Sequence, residues 1–390
     1  MKKFFLASLA LSPLYLSTQV IHAEKFTLAV MGDPQYKWSC SAEQSIYPKD
    51  VDINTLSDYC YSVQGQKINQ EKDSNEKAIK AIKNLRDNAS TPFKGLIING
   101  DLTFFGHDYE REFFHNNYTI HNPKKDDLLI YPGLGNHDYQ NNVNDCGAKG
   151  TQGRNNCAGG MMHIMADWIL GYKGLDKGKT PVCNKLLISC DIYAFNKNPW
   201  QTTGNRNVNG SLAYSWEIGD FRFIQLQNYP HYTVTFKRGW NKGASSWTMQ
   251  AKNSMVWLGK QLEDAHNNNK YVVLNLHDIQ YYFNENGDQK KELEDLIKQY
   301  QKNIRAIFVG HLHQRIGKHG SLGGVDIIYS GAPIAGRFLK VEFDSTKTDP
   351  TKDKTCITVT PTMTVAGTPL NPLTSFTIKC EPLPEPTPTT

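Results

Sequence analysis

Five short segments hold the residue types that metal-assisted chemistry needs. In chain order they are Gly32-Asp33-Pro34-Gln35, Asn99-Gly100-Asp101, Gly135-Asn136-His137-Asp138, Leu276-His277-Asp278 and Gly310-His311-Leu312-His313. Taken singly they say little. Asn-Gly-Asp is a common turn, a lone His after an apolar run is more often a satisfied core or surface residue, and Gly-His-Leu-His is a weak metal hint. Their ordered combination is another matter. It offers two Asp, one Asn and three His at five separate places, the donor set that a two-cation site requires. Mixed carboxylate and imidazole ligation suits Zn, Mn or Fe.

The elements that must position these residues are legible in the hydrophobic pattern. Continuous apolar runs at 26–31, 96–98, 128–131, 271–276 and 304–309 predict strands buried on both faces. In four segments the ligand type follows its run directly; the third is reached through Pro132, Gly133 and Leu134. Strand ends are where a doubly wound sheet presents its ligands. Glycine beside four of the segments lets the backbone turn sharply. Between the runs lie helical patterns. Leu293, Leu296, Ile297 and Tyr300 share one helix face within 289–303, and 78–85 and 255–265 show weaker versions. Strands alternating with helices predict an α/β core. A hairpin is expected at 213–226 around Gly219-Asp220.

Composition sets the class. The chain has 390 residues with 39% hydrophobic and 21% charged residues, ordinary globular values. Residues 1–23 read as a secretory signal of bacterial type, with Lys2 and Lys3, an apolar run at 4–16 and a small residue, Ala23, for cleavage. The formal charge of +5 falls to about +3 without those two lysines. That is too weak a bias to imply a nucleic-acid or membrane partner. No later stretch approaches the ~20 apolar residues of a membrane span. The expected location is secreted or periplasmic. All eight cysteines lie beyond residue 23. Without a C-x-x-C pair they favour disulfides, simplest as Cys40–Cys60, Cys146–Cys157, Cys183–Cys190 and Cys356–Cys380. Residues 36–75 and 140–210 read as insertions, the latter rich in Gly, Asn and Lys and stapled by disulfides. Strands are expected over 345–380, and 381–390 is a proline-rich tail.

In order and type the five segments resemble the signature of the calcineurin-like metallophosphoesterase superfamily, which runs D-x-H, G-D, G-N-H-[DE], H, G-H-x-H. The resemblance spans about 25–340, so a catalytic domain over 24–344 is expected. It implies a four-layer α-β-β-α sandwich with two mixed central sheets, disulfide-bearing insertions and a short C-terminal β extension. It also implies a binuclear phosphoric ester hydrolase, either phosphatase or phosphodiesterase, in which a metal-bridging hydroxide attacks phosphorus. Asp33 and His313 would hold the first ion, and Asn136, His277 and His311 the second. Asp101 would bridge both, and His137 would stay off the metals and contact the phosphate. Two departures stand out. Gln35 occupies a position usually held by His, so it is expected to be a weak ligand that favours Mn or Fe over Zn. Phe104 stands where purple acid phosphatases carry Tyr.

Secondary candidates are His107 at the pocket, and His163 and Arg337 as substrate contacts. Tyr36, Trp38, Tyr139, Trp168 and Trp200 could clamp a leaving group or form the core of the insertions. His115, His121, His231, His266 and His319 read as surface residues. No G-x-S-x-G occurs, and Gly174 to Lys179 is too short for a phosphate loop. The competing reading is a non-catalytic exported binding or toxin-associated protein that retains a structural metal site.

Overall fold

The apolar runs become strands because β-branched and aromatic side chains pack well on a pleated surface and, here, are covered on both faces. The computed structural model describes residues 24–35, 66–120, 127–144, 146, 155–171, 182–193, 207–238, 247–284, 287–345, 354–363, 374–381 and 383. The elements begin with β1 (Lys25–Met31), α1 (Gln66–Asn88), β2 (Phe93–Ile98), α2 (Asp108–Tyr118), β3 (Ile130–Pro132), α3 (Asn136–Tyr139) and α4 (Asn156–Ile169). Next come β4 (Ser189–Cys190), β5 (Asn207–Gly210), β6 (Tyr214–Ile218), β7 (Phe221–Gln225), β8 (Val234–Arg238), β9 (Trp247–Ala251) and α5 (Met255–Asn267). Then follow β10 (Tyr271–Leu276), α6 (Gln280–Asn284), α7 (Gly287–Gln299), β11 (Ile304–Val309), β12 (Ile316–Leu322) and β13 (Val325–Ser330). The last are β14 (Arg337–Asp344), β15 (Lys354–Met363) and β16 (Phe376–Cys380).

Two mixed sheets organise the molecule. One has the order β16-β15-β14-β1-β2-β3, the other β12-β13-β11-β10-β7-β6-β4. β1, β2 and β3 run parallel, as do β7, β10, β11 and β13, while β14 and β12 are antiparallel to their neighbours. The hairpin expected around Gly219-Asp220 is β6–β7. Aromatic rings join the sheets face to face. Phe26 of β1 stacks on Phe343 of β14 at 4.8 Å and meets Phe221 and Phe223 of β7 edge-on at 6.0 and 6.3 Å. Tyr131 of β3 lies flat on Trp216 of β6 at 4.2 Å. α5 packs on β10 and buries Leu258, Leu262 and Ala265. The result is the layered α/β fold expected.

Three disulfides, Cys146–Cys157, Cys183–Cys190 and Cys356–Cys380, follow the expected pairing. Cys40 and Cys60, the proposed leader, Tyr36, Trp38 and Trp200 lie outside the described residues. The 140–210 region differs from the loop-like insertion expected. α4 is apolar almost all round and buries Met161, Met162, Met165 and Trp168 in the main core. Tyr139 is likewise buried, so these two aromatics serve packing rather than a surface clamp. Residues 36–75 also end inside a helix, since α1 begins at Gln66. β15 and β16, within 345–380, form the expected C-terminal extension by continuing the first sheet. Among the described residues no helix is long and apolar enough to cross a membrane.

Because Phe26 touches both sheets, Phe26→Ala is expected to lower unfolding stability by about 3–5 kcal/mol. Denaturant titration would show a lower midpoint with an unchanged slope.

Candidate metal centre

The five segments meet where the carboxyl ends of β1, β2 and β3 face those of β10 and β11. The approach is close. A Cβ on Gly135 would lie 2.2 Å from Asp101 Oδ1, and one on Gly310 would lie 2.3 Å from the Asn99 carbonyl and 2.9 Å from His277 Nδ1. Only glycine fits at these two points. Asp33, Gln35, Asp101 and His311 adopt φ of 54°, 32°, 51° and 69°. Non-glycine residues reach this left-handed region at a cost of about 1–3 kcal/mol each. The turns are locked by bonds between segments: Asp33 N–H to Gly100 O at 3.0 Å, Gln35 N–H to Asp101 O at 2.9 Å, and His311 N–H to Asp33 Oδ1 at 3.1 Å.

Two donor groups share one carboxylate. Donor atoms of Asp101, His277 and His311 lie within 4.8 Å of one another, and so do those of Asp33, Asp101 and His313. Asn136 joins the first group, its Oδ1 2.8 Å from His277 Nε2 and 3.1 Å from His311 Nδ1. Asp33 and Asp101 are each 1% exposed and His277 is 0% exposed. His277 Nδ1 donates to the Asn99 carbonyl at 2.8 Å, which fixes its tautomer and turns Nε2 towards Asp101 Oδ2 at 3.2 Å. Asp33 Oδ2 is buried with no hydrogen-bond partner among the described residues. Lone pairs thus converge on one another with few protons to share, which is the chemistry of a cation site. The residues fit two ions.

Electrostatics agree. Burial raises the Asp33 carboxyl well above its ordinary value. Burial also opposes ionisation of Asp101, but the charge and hydrogen bond of His277 outweigh it and hold Asp101 low. Burial alone would push His277 down; Asp101 reverses this and carries it up to about 10. Its proton takes the place a cation would fill. Burial lowers His311, and lowers His313 to about 4.

His137 sits beside this cluster rather than in either donor group. Its N–H donates to Asp101 Oδ1 at 2.9 Å and its Nδ1 to the Phe104 carbonyl at 2.8 Å. Gln35 reaches the site, but its Nε2 donates to Asp101 Oδ2 at 2.7 Å, so it faces the shared carboxylate as a donor instead of offering an oxygen. A half-turn of the amide exchanges the two roles.

Asp138 is a supporting residue that sequence reasoning missed. It accepts from Gly135 N, Leu102 N, Thr103 N and Thr103 Oγ1, tying the second segment to the third. Its only sequence signal is its place after His137. Gln227 and Asn228, whose carbonyls hold His277 N, gave none. Glu110 was missed as well. It is wholly buried, and burial pushes it up to about 8.

The secondary candidates scatter. His107 caps the N-terminus of α2 and lies 6.2 Å edge-on to Phe105. Cys146 and Cys157 lie near it but are disulfide-bonded, which removes them as thiolate ligands. His163 pairs with Asp167 at 3.1 Å. Arg337 contacts the Gln314 carbonyl, next to His313. His231, expected at the surface, is buried between Tyr282 and Glu292, because both ring nitrogens find partners there.

Glu110 supplies a pH test of its own. A carboxyl whose folded pKa exceeds its unfolded value stabilises fully below the unfolded value of about 4.5, and that stability is lost as pH rises through about 8. Glu110→Gln should therefore flatten the decline in stability between pH 4.5 and 8, as read by thermal unfolding across that range.

No protein-family model matches the chain, and no curated protein matches it in sequence. Among solved structures the fold is similar to a dimetal phosphatase from Danio rerio, at 11% identity and TM-score 0.45, covering 91% of this chain and 99% of that one. It is also similar to a sulfate thiohydrolase from Thermus thermophilus, at 12% identity and TM-score 0.38, covering 81% of this chain and 53% of that one. The functional reading rests on the side chains described above. Their order, the paired mixed sheets and the convergent donors agree with the resemblance to the calcineurin-like metallophosphoesterases.

Proposed function

We propose that the chain is an exported, metal-dependent hydrolase of phosphate esters, mono- or diester, that works by in-line attack of hydroxide on phosphorus. The observation that carries this reading is Asp101, one carboxylate common to two three-residue donor groups. Asp33, Asp101 and His313, with Gln35 after an amide turn, would hold one ion. Asp101, Asn136, His277 and His311 would hold the other. Mn, Fe or Zn suit these donors. Such ions, when bound, would supply the Lewis acidity that brings hydroxide within reach of neutral pH and draws charge from phosphoryl oxygens.

The chain's own residues do the rest. Asp101 is held in place by His137 N–H, so its oxygens would not swing away from the ions. The Asn99 carbonyl keeps His277 Nε2 on the site. His137 has Nδ1 engaged by Phe104, which leaves Nε2 to meet a phosphoryl oxygen or pass a proton to the leaving oxygen. A purely structural metal site has no use for such an imidazole. Three disulfides support a location outside the cytoplasm.

The test is turnover of p-nitrophenyl phosphate and its bis ester with added Mn, Zn or Fe. Asp101→Ala should lose bound metal and activity together. His137→Ala should retain metal while kcat drops by about 10²–10⁴-fold. Wild-type protein that binds metal yet cleaves neither ester would favour the non-catalytic binding protein. One ion at saturation, by elemental analysis, would overturn the binuclear assignment.

A further inference from the structure

A buried carboxylate is expensive to keep, and Glu110 has no part in the metal cluster. It lies in the first turn of α2, beneath the loop that follows Asp101. Its Oε2 accepts two backbone N–H groups, Phe105 N at 2.8 Å and His107 N at 3.1 Å. The bond to His107 is an ordinary helix cap. The bond to Phe105 is not, because that residue precedes the helix and its cap.

Phe105 N–H belongs to the same planar peptide as the Phe104 carbonyl. In a trans peptide the N–H and C=O point in opposite directions, so fixing one fixes the other. The Phe104 carbonyl is the acceptor for His137 Nδ1 at 2.8 Å. One peptide plane therefore stands between Glu110 on one side and the imidazole on the other. The same two residues pack the ring: Phe104 stacks on His137 at 5.1 Å and Phe105 meets it edge-on at 5.8 Å. Asn142 holds the next link, donating Nδ2 to the Phe105 carbonyl at 2.7 Å, and Asp138 holds Leu102 and Thr103.

We infer that Glu110 is a positioning residue for His137: through the Phe104–Phe105 peptide it sets the tautomer and tilt of that imidazole. The claim about the ring stands on geometry alone; its effect on turnover rests on the function proposed above. Since Oε2 does the accepting, a glutamine, which retains one carbonyl oxygen on a side chain of the same length, should substitute. Methionine keeps the length and offers no comparable acceptor.

The experiment compares wild type, Glu110→Gln and Glu110→Met as full chains loaded with zinc, a diamagnetic ion. Histidine ring nitrogens are followed by ¹⁵N NMR at pH 8, where a free imidazole is neutral, and the His137 signal is assigned by its loss in His137→Gln. Wild type and Glu110→Gln should carry the proton on Nδ1. Glu110→Met should lose that preference and, against p-nitrophenyl phosphate or its bis ester, lose about 10–100-fold in kcat with KM within about twofold. Should the methionine variant fail to fold, Glu110→Asp, whose carboxylate is one methylene short, is expected to lose the tautomer in the same way. A folded Glu110→Met or Glu110→Asp with the wild-type tautomer overturns the inference. Wild type inactive on both esters would overturn the proposed function and leave the NMR comparison to decide on Glu110.

Discussion

Two buried aspartates and a set of imidazole and amide lone pairs are packed into one water-poor junction, and that arrangement demands positive charge. Desolvating an ion costs several kcal/mol even after the protein relaxes, and two like charges close together add to the cost. Asp33 and Asp101 are both almost fully buried, yet their strongest opposite charge within the cluster is a single proton on His277. That proton answers part of the need and leaves Asp33 Oδ2 without a partner among the described residues. A pair of cations would answer all of it. The site is thus better understood as a socket than as a stabilising polar cluster.

The backbone around the socket carries the corresponding strain. Four of its side chains leave strand ends with positive φ, a conformation that isolated residues avoid. Each is held by a bond from another segment: Asp33 by Gly100, Gln35 by Asp101, Asp101 by His137, and His311 by the Asp33 carboxylate. No segment is formed without the others, which makes the site a single unit. Effects of altering its members should not add, since each residue's geometry is the boundary condition for the next.

Much of this was legible in the sequence, for identifiable reasons. Strand ends announce themselves where an apolar run stops at Gly, Asp or Asn, and ligand types announce themselves by residue. Asp33, Asp101, Asn136, His277, His311 and His313 therefore came out together, and the layered α/β fold with them. What was not legible depends on contacts between segments distant in the chain. Asp138 binds four donors, three of them more than thirty residues away, and its place after His137 does not announce that role. α4 falls inside the stretch read as an insertion because Gly- and Asn-rich sequence flanks it, but its all-round apolar surface is that of a buried helix. Gln35 is legible as a candidate ligand by residue type, but the way its amide faces, nitrogen towards the Asp101 carboxylate, is not encoded in composition.

Strand β1 links the two ends of the molecule's economy. Its first half carries Phe26, where four aromatic rings clamp one sheet to the other, and its last residue, Met31, leads through Gly32 into Asp33. The distance between them is about 20 Å along an extended strand. The interior on both sides is close-packed, so a displacement at the aromatic clamp is carried along the strand instead of being absorbed. The strained turns at the carboxyl end persist because this rigid frame over-determines them. Donor-cluster geometry and core packing are therefore coupled properties here. The hydrophobic seam between the sheets supplies the stiffness, and the donor cluster uses it to hold acceptors closer together than they would settle on their own.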